Sequence, residues 1–419
     1  MRFPAAYNPL MLTYVFGLLY SAAILYARSC ALRDPGSWFF DPSTAYEAEC
    51  SDTRRRQAES FVATANSSST PVDSTHQRTG HAPRMCVGVL SAARESRYID
   101  TTIGSLVDGL TPNERQDIHL IVLIPHSDPT KHSAYREPWL GNLVNEILHY
   151  ESTNSQFDRI VTLEREEAPF REKGLFDYLS LMRACLDRSD APYIAIFEDD
   201  IVAMPDWYRR SLAGIAKAEL GFPSDHRGTG GFLYLRLFYT EEFLGWNSED
   251  WREHGLWSLL AVGISWLVLY CVYLWRPRSR YYLTPGGILT VCAVAVPLMI
   301  VLFFGTGRVT LFPLPAGVSV MNRYGCCSQG LVFPRLKAED LASWFGKARV
   351  GFVDVLIEEY ADRHADEERL ALVPYVLQHV GRKSSKGDDG GRSPGSGLSA
   401  AETIWNFGFE KEGGDLGKF

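Results

Sequence analysis

Basic charge is in short supply in this chain of 419 residues, which carries a formal net charge of −8. Without a Lys/Arg-dense face it has no electrostatic footprint for a phosphate backbone, which argues against nucleic acid as a partner. Asp, Glu, Lys, Arg and His are missing altogether from three long apolar runs, Leu10–Ala27, Leu256–Trp275 and Ile288–Phe304. A transporter would need ionisable groups along its path, so that reading fails. No C-x-x-C spacing pairs with a second one, which disfavours structural zinc. No internal repeat is evident, and solenoid architectures drop out. The length suffices for one large domain or two small ones.

What is present in excess is long apolar sequence. At about 1.5 Å rise per helical residue, Leu256–Trp275 and Ile288–Phe304 roughly match the ~30 Å hydrocarbon core, so the pair reads as a transmembrane hairpin. The segment 276–287 between them carries Arg276, Arg278 and Arg280 and no acid, which places the turn in the cytosol and both flanks on the other side. Leu10–Ala27 is long for the apolar core of a leader, and an uncleaved signal anchor after a short cytosolic residue 1–9 segment is preferred, with Ala27-Arg28-Ser29 as a poor cleavage alternative. An anchor delivers the following residues to the same lumen. Six of the eight cysteines, Cys30, Cys50, Cys86, Cys185, Cys326 and Cys327, then face an oxidising compartment where pairing is expected. The adjacent Cys326 and Cys327 are expected to serve two separate bridges. Asn66-Ser67-Ser68 is an acceptor sequence for N-glycosylation.

Residues 28–84 read as a lumenal stem, loosest over the Ser/Thr/Asn/Pro-rich stretch 63–82. Order should begin at Met85. Apolar runs predict strands at Cys86–Ser91, Ile118–Pro125, Arg159–Leu163, Tyr193–Phe197 and Phe232–Tyr239, with helices at Tyr98–Gly109, Trp139–Tyr150, Leu175–Arg188 and after Trp207. Beyond the hairpin, Thr310–Leu314 and Val318–Met321 read as extended, Ala338–Lys347 and Phe352–Arg363 as helices, and 381–397 as a mobile loop. The expectation is an α/β domain with a mostly parallel sheet, built from 85–255 and 305–419 and split by the hairpin 256–304.

The chemistry concentrates in Ile194-Ala195-Ile196-Phe197-Glu198-Asp199-Asp200, an apolar strand that ends in three consecutive carboxylates. Ligands of open α/β sheets bind beyond the carboxyl ends of strands. Three acids there repel one another unless a cation or donors compensate them. A hard ion such as Mn²⁺ or Mg²⁺ takes oxygen ligands from one or two carboxylates and from substrate phosphates. The competing reading is a solvated acidic turn, which suits a polar loop better than the end of a buried strand.

Strand–Glu-Asp-Asp resembles the Asp-x-Asp-type motif of GT-A glycosyltransferases. Val373-Pro374-Tyr375-Val376-Leu377-Gln378-His379-Val380-Gly381-Arg382-Lys383-Ser384-Ser385 is similar to a signature of the type IV N-acetylglucosaminyltransferases. The Golgi transferases that add N-acetylgalactosamine to glycosylphosphatidylinositol (GPI) glycans, the post-GPI-attachment-to-proteins factor four family, share it, and their GT-A domain is interrupted by a tandem transmembrane hairpin. In architecture the resemblance spans about residues 1–410, while residue matches are confined to short blocks. It implies that Asp200 binds the metal and that Glu198 and Asp199 contact the ribose and sugar of a UDP-sugar donor. His379 would be a second metal ligand or touch the diphosphate. Val353-Asp354-Val355 resembles the Pro-Val-Asp segment of type IV enzymes, with Phe352 in place of proline. Asp354 is therefore the candidate base, with Glu358 and Glu359 behind it, and a helix-capping Asp is the alternative. Ser91, Arg94, Glu95 and Arg97 fall where such a fold receives uracil and ribose, although Arg94 would also suit solvent. Lys173 and Asp177 stand near the donor by positional analogy.

The resulting expectation is a metal-dependent, inverting transferase in the Golgi membrane, with the GPI glycan as acceptor and the lipid bilayer as its other partner. The same chemistry on N-glycans, or an inactive lumenal scaffold that binds glycolipid, are the alternatives. Protease added to sealed Golgi vesicles is expected to cut only near Arg276–Arg280; digestion within 310–419 would overturn the split-domain topology.

Overall fold

A computed structural model describes residues 9–67, 82–153, 156–165, 170–224, 230–276, 283–322, 326–382 and 398–412. Two compact units are formed, one from Met1–Glu47 with Glu241–Pro313, the other from Ala48–Thr240 with Leu314–Phe419.

The first unit is built on three apolar helices. Trp251–Trp275 and Pro285–Thr306 have 25 and 22 residues, each long enough at about 1.5 Å per residue to cross a membrane. Leu256, Leu259, Ile264 and Leu267 stand exposed on the first, as side chains facing lipid would. Within the second, a wide π turn over Val291–Ala295 precedes Pro297, which has no N–H to continue the regular ladder. The helix Pro9–Cys30 covers the run read as an anchor. The Tyr20 hydroxyl donates to the Leu298 carbonyl at 3.0 Å. After this helix the Trp38 N–H and the Ser37 hydroxyl donate to the Gly305 carbonyl at 2.9 and 3.1 Å. A Cβ on Gly305 would stand 2.6 Å from the Trp38 ring, so only glycine admits this approach. Thr310–Leu314, expected to be extended, instead begins inside a helical turn, Arg308–Leu311. The Asp34 carboxylate accepts the Thr310 N–H at 2.7 Å and stabilises that turn. Arg278 and Arg280 of the expected cytosolic turn lie outside the described residues.

The second unit is an α/β domain around one eight-stranded sheet. Its strands are β1 (Met85–Leu90), β2 (Ile118–Ile124), β3 (Glu146–His149), β4 (Tyr193–Glu198), β6 (Phe232–Arg236), β7 (Gly317–Val320), β8 (Gly330–Pro334) and β9 (Glu368–Val373), in the order β3-β2-β1-β4-β8-β6-β9-β7. A two-stranded sheet pairs β5 (Ile201–Ala203) with β10 (Leu377–His379). The first four strands run parallel, but β8 is antiparallel to both β4 and β6, and β7 to β9. The sheet is thus mixed rather than mostly parallel. Strand β8 comes from beyond the hairpin yet lies at the centre, so neither piece of the split domain completes the sheet alone. Apolar clusters cover both faces, which is why β1, β2 and β4 read as near-continuous apolar runs.

Several local expectations are corrected. Arg159–Leu163 is not a strand but part of the helix Phe157–Leu163, which buries Ile160 and Leu163 one turn apart. Only Pro138–Leu143 of the expected helix Trp139–Tyr150 is helical, and β3 follows. Arg115 ends that helix by donating to the Leu143 carbonyl at 2.9 Å, while the Asn145 side chain accepts the Leu120 N–H at 2.9 Å and starts the pairing with β2. Cys326 and Cys327 are bonded to one another, not to separate partners. Cys86 pairs with Cys185, tying β1 to the helix Phe170–Arg188, and Cys30 and Cys50 form no disulfide.

The supposed stem holds the largest departure. Glu49–Ser67 is a helix packed on the domain, whereas 68–81 lie outside the described residues. Arg54 is 1% exposed and donates to the carbonyls of Ala203, Ser105 and Asp108 at 2.8, 3.0 and 2.8 Å, besides pairing with the Asp108 carboxylate. A Cβ on Gly104, in the facing helix Ile99–Val107, would stand 2.6 Å from the Ala58 carbonyl oxygen. Gly104→Val is therefore expected to destabilise the domain by about 1–3 kcal/mol, the cost of overpacking, read as a lowered thermal midpoint. An unchanged midpoint would mean that the helix 49–67 does not sit against it.

Candidate active site

Strand β4 delivers Glu198, Asp199 and Asp200 to the carboxyl end of the sheet, and β5 follows at once. Strand β10 pairs antiparallel with β5, with His379 opposite Ile201 and Gln378 opposite Val202, and the Val380 N–H donates to the Asp200 carbonyl at 2.8 Å. The two motifs, almost two hundred residues apart, are thereby joined. His379 Nε2 lies 3.4 Å from Asp200 Oδ2. A Cβ on Gly381 would stand 2.5 Å from the same oxygen, so the glycine of the Gln-His-x-Gly pattern is a steric requirement.

Asp199 and Asp200 are buried, at 2% and 6% exposure, and Arg94 bridges them. One amino group of its guanidinium donates to Asp200 Oδ2 at 2.8 Å, the other to Asp199 Oδ1. The Ser91 hydroxyl donates to Asp199 Oδ2 at 2.5 Å and is itself 2.9 Å from His132 Nε2. The Ala134 N–H donates to His132 Nδ1 at 3.2 Å, which leaves the proton on Nε2 to reach Ser91. Burial, with the nearby His126, Arg97 and Arg94, pushes His132 down to about 4, so it stands neutral at physiological pH.

Burial raises Asp199 above the ordinary carboxylate range, against the pull of Arg94 and with the help of its neighbour Asp200. At Asp200 burial acts the same way but is outweighed by His379 and Arg94, which hold its carboxyl below the ordinary range. The two carboxylates thus differ, with the more acidic one against the histidine.

Glu198 is held by other groups. Its Oε1 accepts the Ser328 hydroxyl at 2.7 Å, and its backbone N–H donates to the Gln329 carbonyl at 3.3 Å. The Thr102 hydroxyl lies 2.7 Å from the Asp199 carbonyl and 2.8 Å from that of Ile201, fixing the backbone of the motif. Ser328, Thr102 and His132 were not singled out by sequence reasoning, because no local pattern marks a Ser, Thr or His that reaches the site only through tertiary packing.

Lys173 and Asp177 form a separate cluster beyond the end of β2. Lys173 Nζ donates to the Pro125 carbonyl at 2.6 Å and to both Asp177 oxygens at 2.7 and 2.8 Å, and the Tyr150 hydroxyl donates to Asp177 at 2.8 Å. Burial prevails over Lys173 and pushes Asp177 up to about 6. His126 accepts the Ala93 N–H at 2.8 Å and so joins this region to the loop that carries Arg94. Arg97 faces outward, paired with Glu137 and Asp100.

Asp354 stands in the first turn of the helix Val353–Arg363 and accepts the Val355 N–H at 2.9 Å. The buried Tyr178 phenol is pushed up chiefly by burial, with Glu198 and Asp354 both adding to the rise. The Glu358 carboxylate is committed elsewhere. It pairs with Arg236 at 3.0 Å and Arg369 at 2.8 Å and accepts the Tyr234 hydroxyl at 2.6 Å.

A divalent ion can be tested against this donor set. Asp200 Oδ1 and His379 Nδ1 are buried with no hydrogen-bond partner, a costly state that a ligand would relieve. No group of three or more His, Cys, Asp or Glu among the described residues forms a closed cage. One carboxylate and one imidazole fit an ion that takes its remaining ligands from substrate phosphates.

A mixed α/β sheet whose carboxyl edge carries an acidic triplet and a facing histidine has the parts of a group-transfer site. A family described as GPI-N-acetylgalactosamine transferase PGAP4 matches residues 85–378, well over half of the chain, which belongs to that family. Among curated proteins, the chain is similar to the alpha-1,3-mannosyl-glycoprotein 4-beta-N-acetylglucosaminyltransferase B of Mus musculus, 30% identical over 142 residues, and to that of Homo sapiens, 29% identical. Each match covers 31% of this chain and 25% of the relative, so the chain spans about a quarter of their length.

Gly381→Ala would displace Asp200 without touching the core. It is expected to lower the transfer rate by about 100-fold, as misplaced catalytic groups do, with the thermal midpoint unchanged. Full activity in that variant would exclude a role for the Asp200 position.

Proposed function

We propose that this protein transfers an N-acetylhexosamine, N-acetylgalactosamine from UDP-N-acetylgalactosamine, to a mannose of the GPI glycan in the Golgi lumen. The observation that carries the reading is the 3.4 Å approach of His379 to Asp200 across the β5–β10 pair. It unites the acidic motif of the first piece with the Gln-His-x-Gly motif of the second. Asp200 and His379 would hold Mn²⁺ or Mg²⁺, which when bound stabilises the negative charge that grows on a leaving diphosphate. Glu198 and Asp199 orient the ribose and sugar of the donor, with Ser91 and Arg94 fixing Asp199. Lys173 and Asp177 bound the donor site beyond β2. Asp354 takes the proton of the acceptor hydroxyl in an inverting displacement. Glu358, proposed behind it, acts through its buried ion pairs.

The membrane unit gives this chemistry its acceptor. A GPI glycan starts at the bilayer surface, and an enzyme with apolar helices inserted in mid-domain meets it without searching in three dimensions. The names of the curated relatives support a second reading, N-acetylglucosamine transfer to an N-glycan, which has no need of a hairpin. An inactive scaffold is disfavoured by the intact set Glu198, Asp199, Asp200 and His379.

The test uses the full chain in membranes, with UDP-N-acetylgalactosamine and UDP-N-acetylglucosamine each offered to a GPI glycan and to a soluble N-glycan. Transfer of N-acetylgalactosamine to the GPI glycan alone, stimulated by Mn²⁺ and abolished in Asp200→Ala, is the expected result, read by mass spectrometry. Activity in Asp200→Ala above about a tenth of wild type, a deficit of only 1.4 kcal/mol, would reject the metal role. N-glycan transfer would favour the second reading.

A further inference from the structure

Glu198 is held by a turn that has its own buried support. Cys326 and Cys327, bonded to each other, lead into Ser328 and Gln329, and Gly330 then opens β8. Adjacent carbonyls of an extended strand point in opposite directions. Here both the Cys326 and Cys327 carbonyls accept from one amino group of Arg236, at 2.6 and 2.7 Å. The chain meets that demand at Cys327, whose φ of 88° lies in the left-handed region that non-glycine residues seldom adopt.

Arg236 is fully buried, at 0% exposure. Its other amino group pairs with Glu358 Oε1, which also accepts the Tyr234 hydroxyl, while Arg369 holds Oε2. The Leu237 N–H donates to the Gly330 carbonyl at 3.0 Å, anchoring the other end of the turn. What this support presents is Ser328, with its hydroxyl on Glu198 Oε1 at 2.7 Å, and Gln329, whose carbonyl accepts the Glu198 N–H and whose amide lies 3.5 Å from Oε2. Asp199 and Asp200 have no share in it, since Arg94, Ser91 and His379 hold those two.

We infer that Arg236 and Ser328 are positioning residues for the transfer reaction: Arg236, braced by Glu358, clamps the Cys326–Cys327 turn so that Ser328 sets the orientation of the Glu198 carboxylate toward the donor. The inference rests on the proposed role of Glu198 in donor binding. A buried ion pair that served stability alone would end at Glu358. This guanidinium also spends an amino group on the turn that touches the site.

The full-length enzyme in lipid nanodiscs is assayed with whichever UDP-sugar of a panel the wild type turns over fastest, so a wrong donor assignment shows as a different preferred sugar and leaves this test intact. Ser328→Ala deletes one hydroxyl and is expected to raise the donor KM by about tenfold, as loss of a hydrogen bond to a charged group does. The acceptor KM, kcat and thermal midpoint should hold, and Ser328→Thr should restore the donor KM. With donor binding as the readout, Ser328→Ala should add nothing in a Glu198→Ala background. Arg236→Lys, which keeps the charge but not the two-pronged reach, should raise the donor KM and speed amide exchange over residues 328–330. Equal donor KM in wild type and Ser328→Ala, or the same loss with and without Glu198, would overturn the inference. Slow exchange at 328–330 in Arg236→Lys would remove Arg236 from it.

Discussion

Two carboxylates at the end of one buried strand repel each other, and in a low-dielectric setting that repulsion must be answered by fixed charge and hydrogen bonds. Much of the local structure around Asp199 and Asp200 is that answer. Arg94 bridges both, Ser91 serves Asp199, and His379 is drawn against Asp200. These compensating groups come from two separate places in the chain, the loop after β1 and the strand β10, and they meet at the end of β4. The site therefore forms only when those segments have met. Asp200 Oδ1 and His379 Nδ1 are left buried without a hydrogen-bond partner, a cost that a ligand there would relieve.

That dependence explains how a domain can be cut in its sequence and remain one domain. The second piece contributes β8, wedged between β4 and β6, and β10, laid along β5. The Gln378 side chain secures the latter. Its amide donates to the Asn406 carbonyl at 2.9 Å and to Glu410 at 3.0 Å, and Glu410 in turn accepts the N–H groups of Cys50 and Ser51 at 2.9 and 3.1 Å. A carboxylate at the start of the helix Glu49–Ser67 is where the helix dipole favours one. The signature glutamine thus ties the C-terminal segment and the N-terminal helix to the strand that carries His379. It is a structural residue in a motif whose neighbour faces the chemistry.

The apolar helices, long and apolar enough to cross a membrane, would there face a different constraint, backbone satisfaction in a medium without water. The π turn before Pro297 and the bond from Tyr20 to the Leu298 carbonyl are local solutions to it. Gly305 permits the close seat of Trp38, and Asp34 organises the turn that follows the hairpin.

The primary sequence determined the apolar runs, the strands β1, β2, β4 and β6 and the acidic triplet, because each depends on a contiguous stretch of residues with one dominant character. It also singled out Asp200 and His379 as candidates, through two motifs that the fold brings to within 3.4 Å. Elements whose character is mixed were misread. Trp139–Tyr150 has helical periodicity, yet Asn145 starts a strand there; Glu49–Ser67 is polar enough to pass for a stem, yet Arg54 buries its guanidinium among carbonyls that only the folded chain brings together. The pairing of Cys326 with Cys327, the commitment of Glu358 to two arginines and the hold of Ser328 on Glu198 were decided by tertiary structure alone. Each depends on which strands lie side by side in the sheet, and the order β4-β8-β6-β9 is set by long-range packing that no local run of residues encodes.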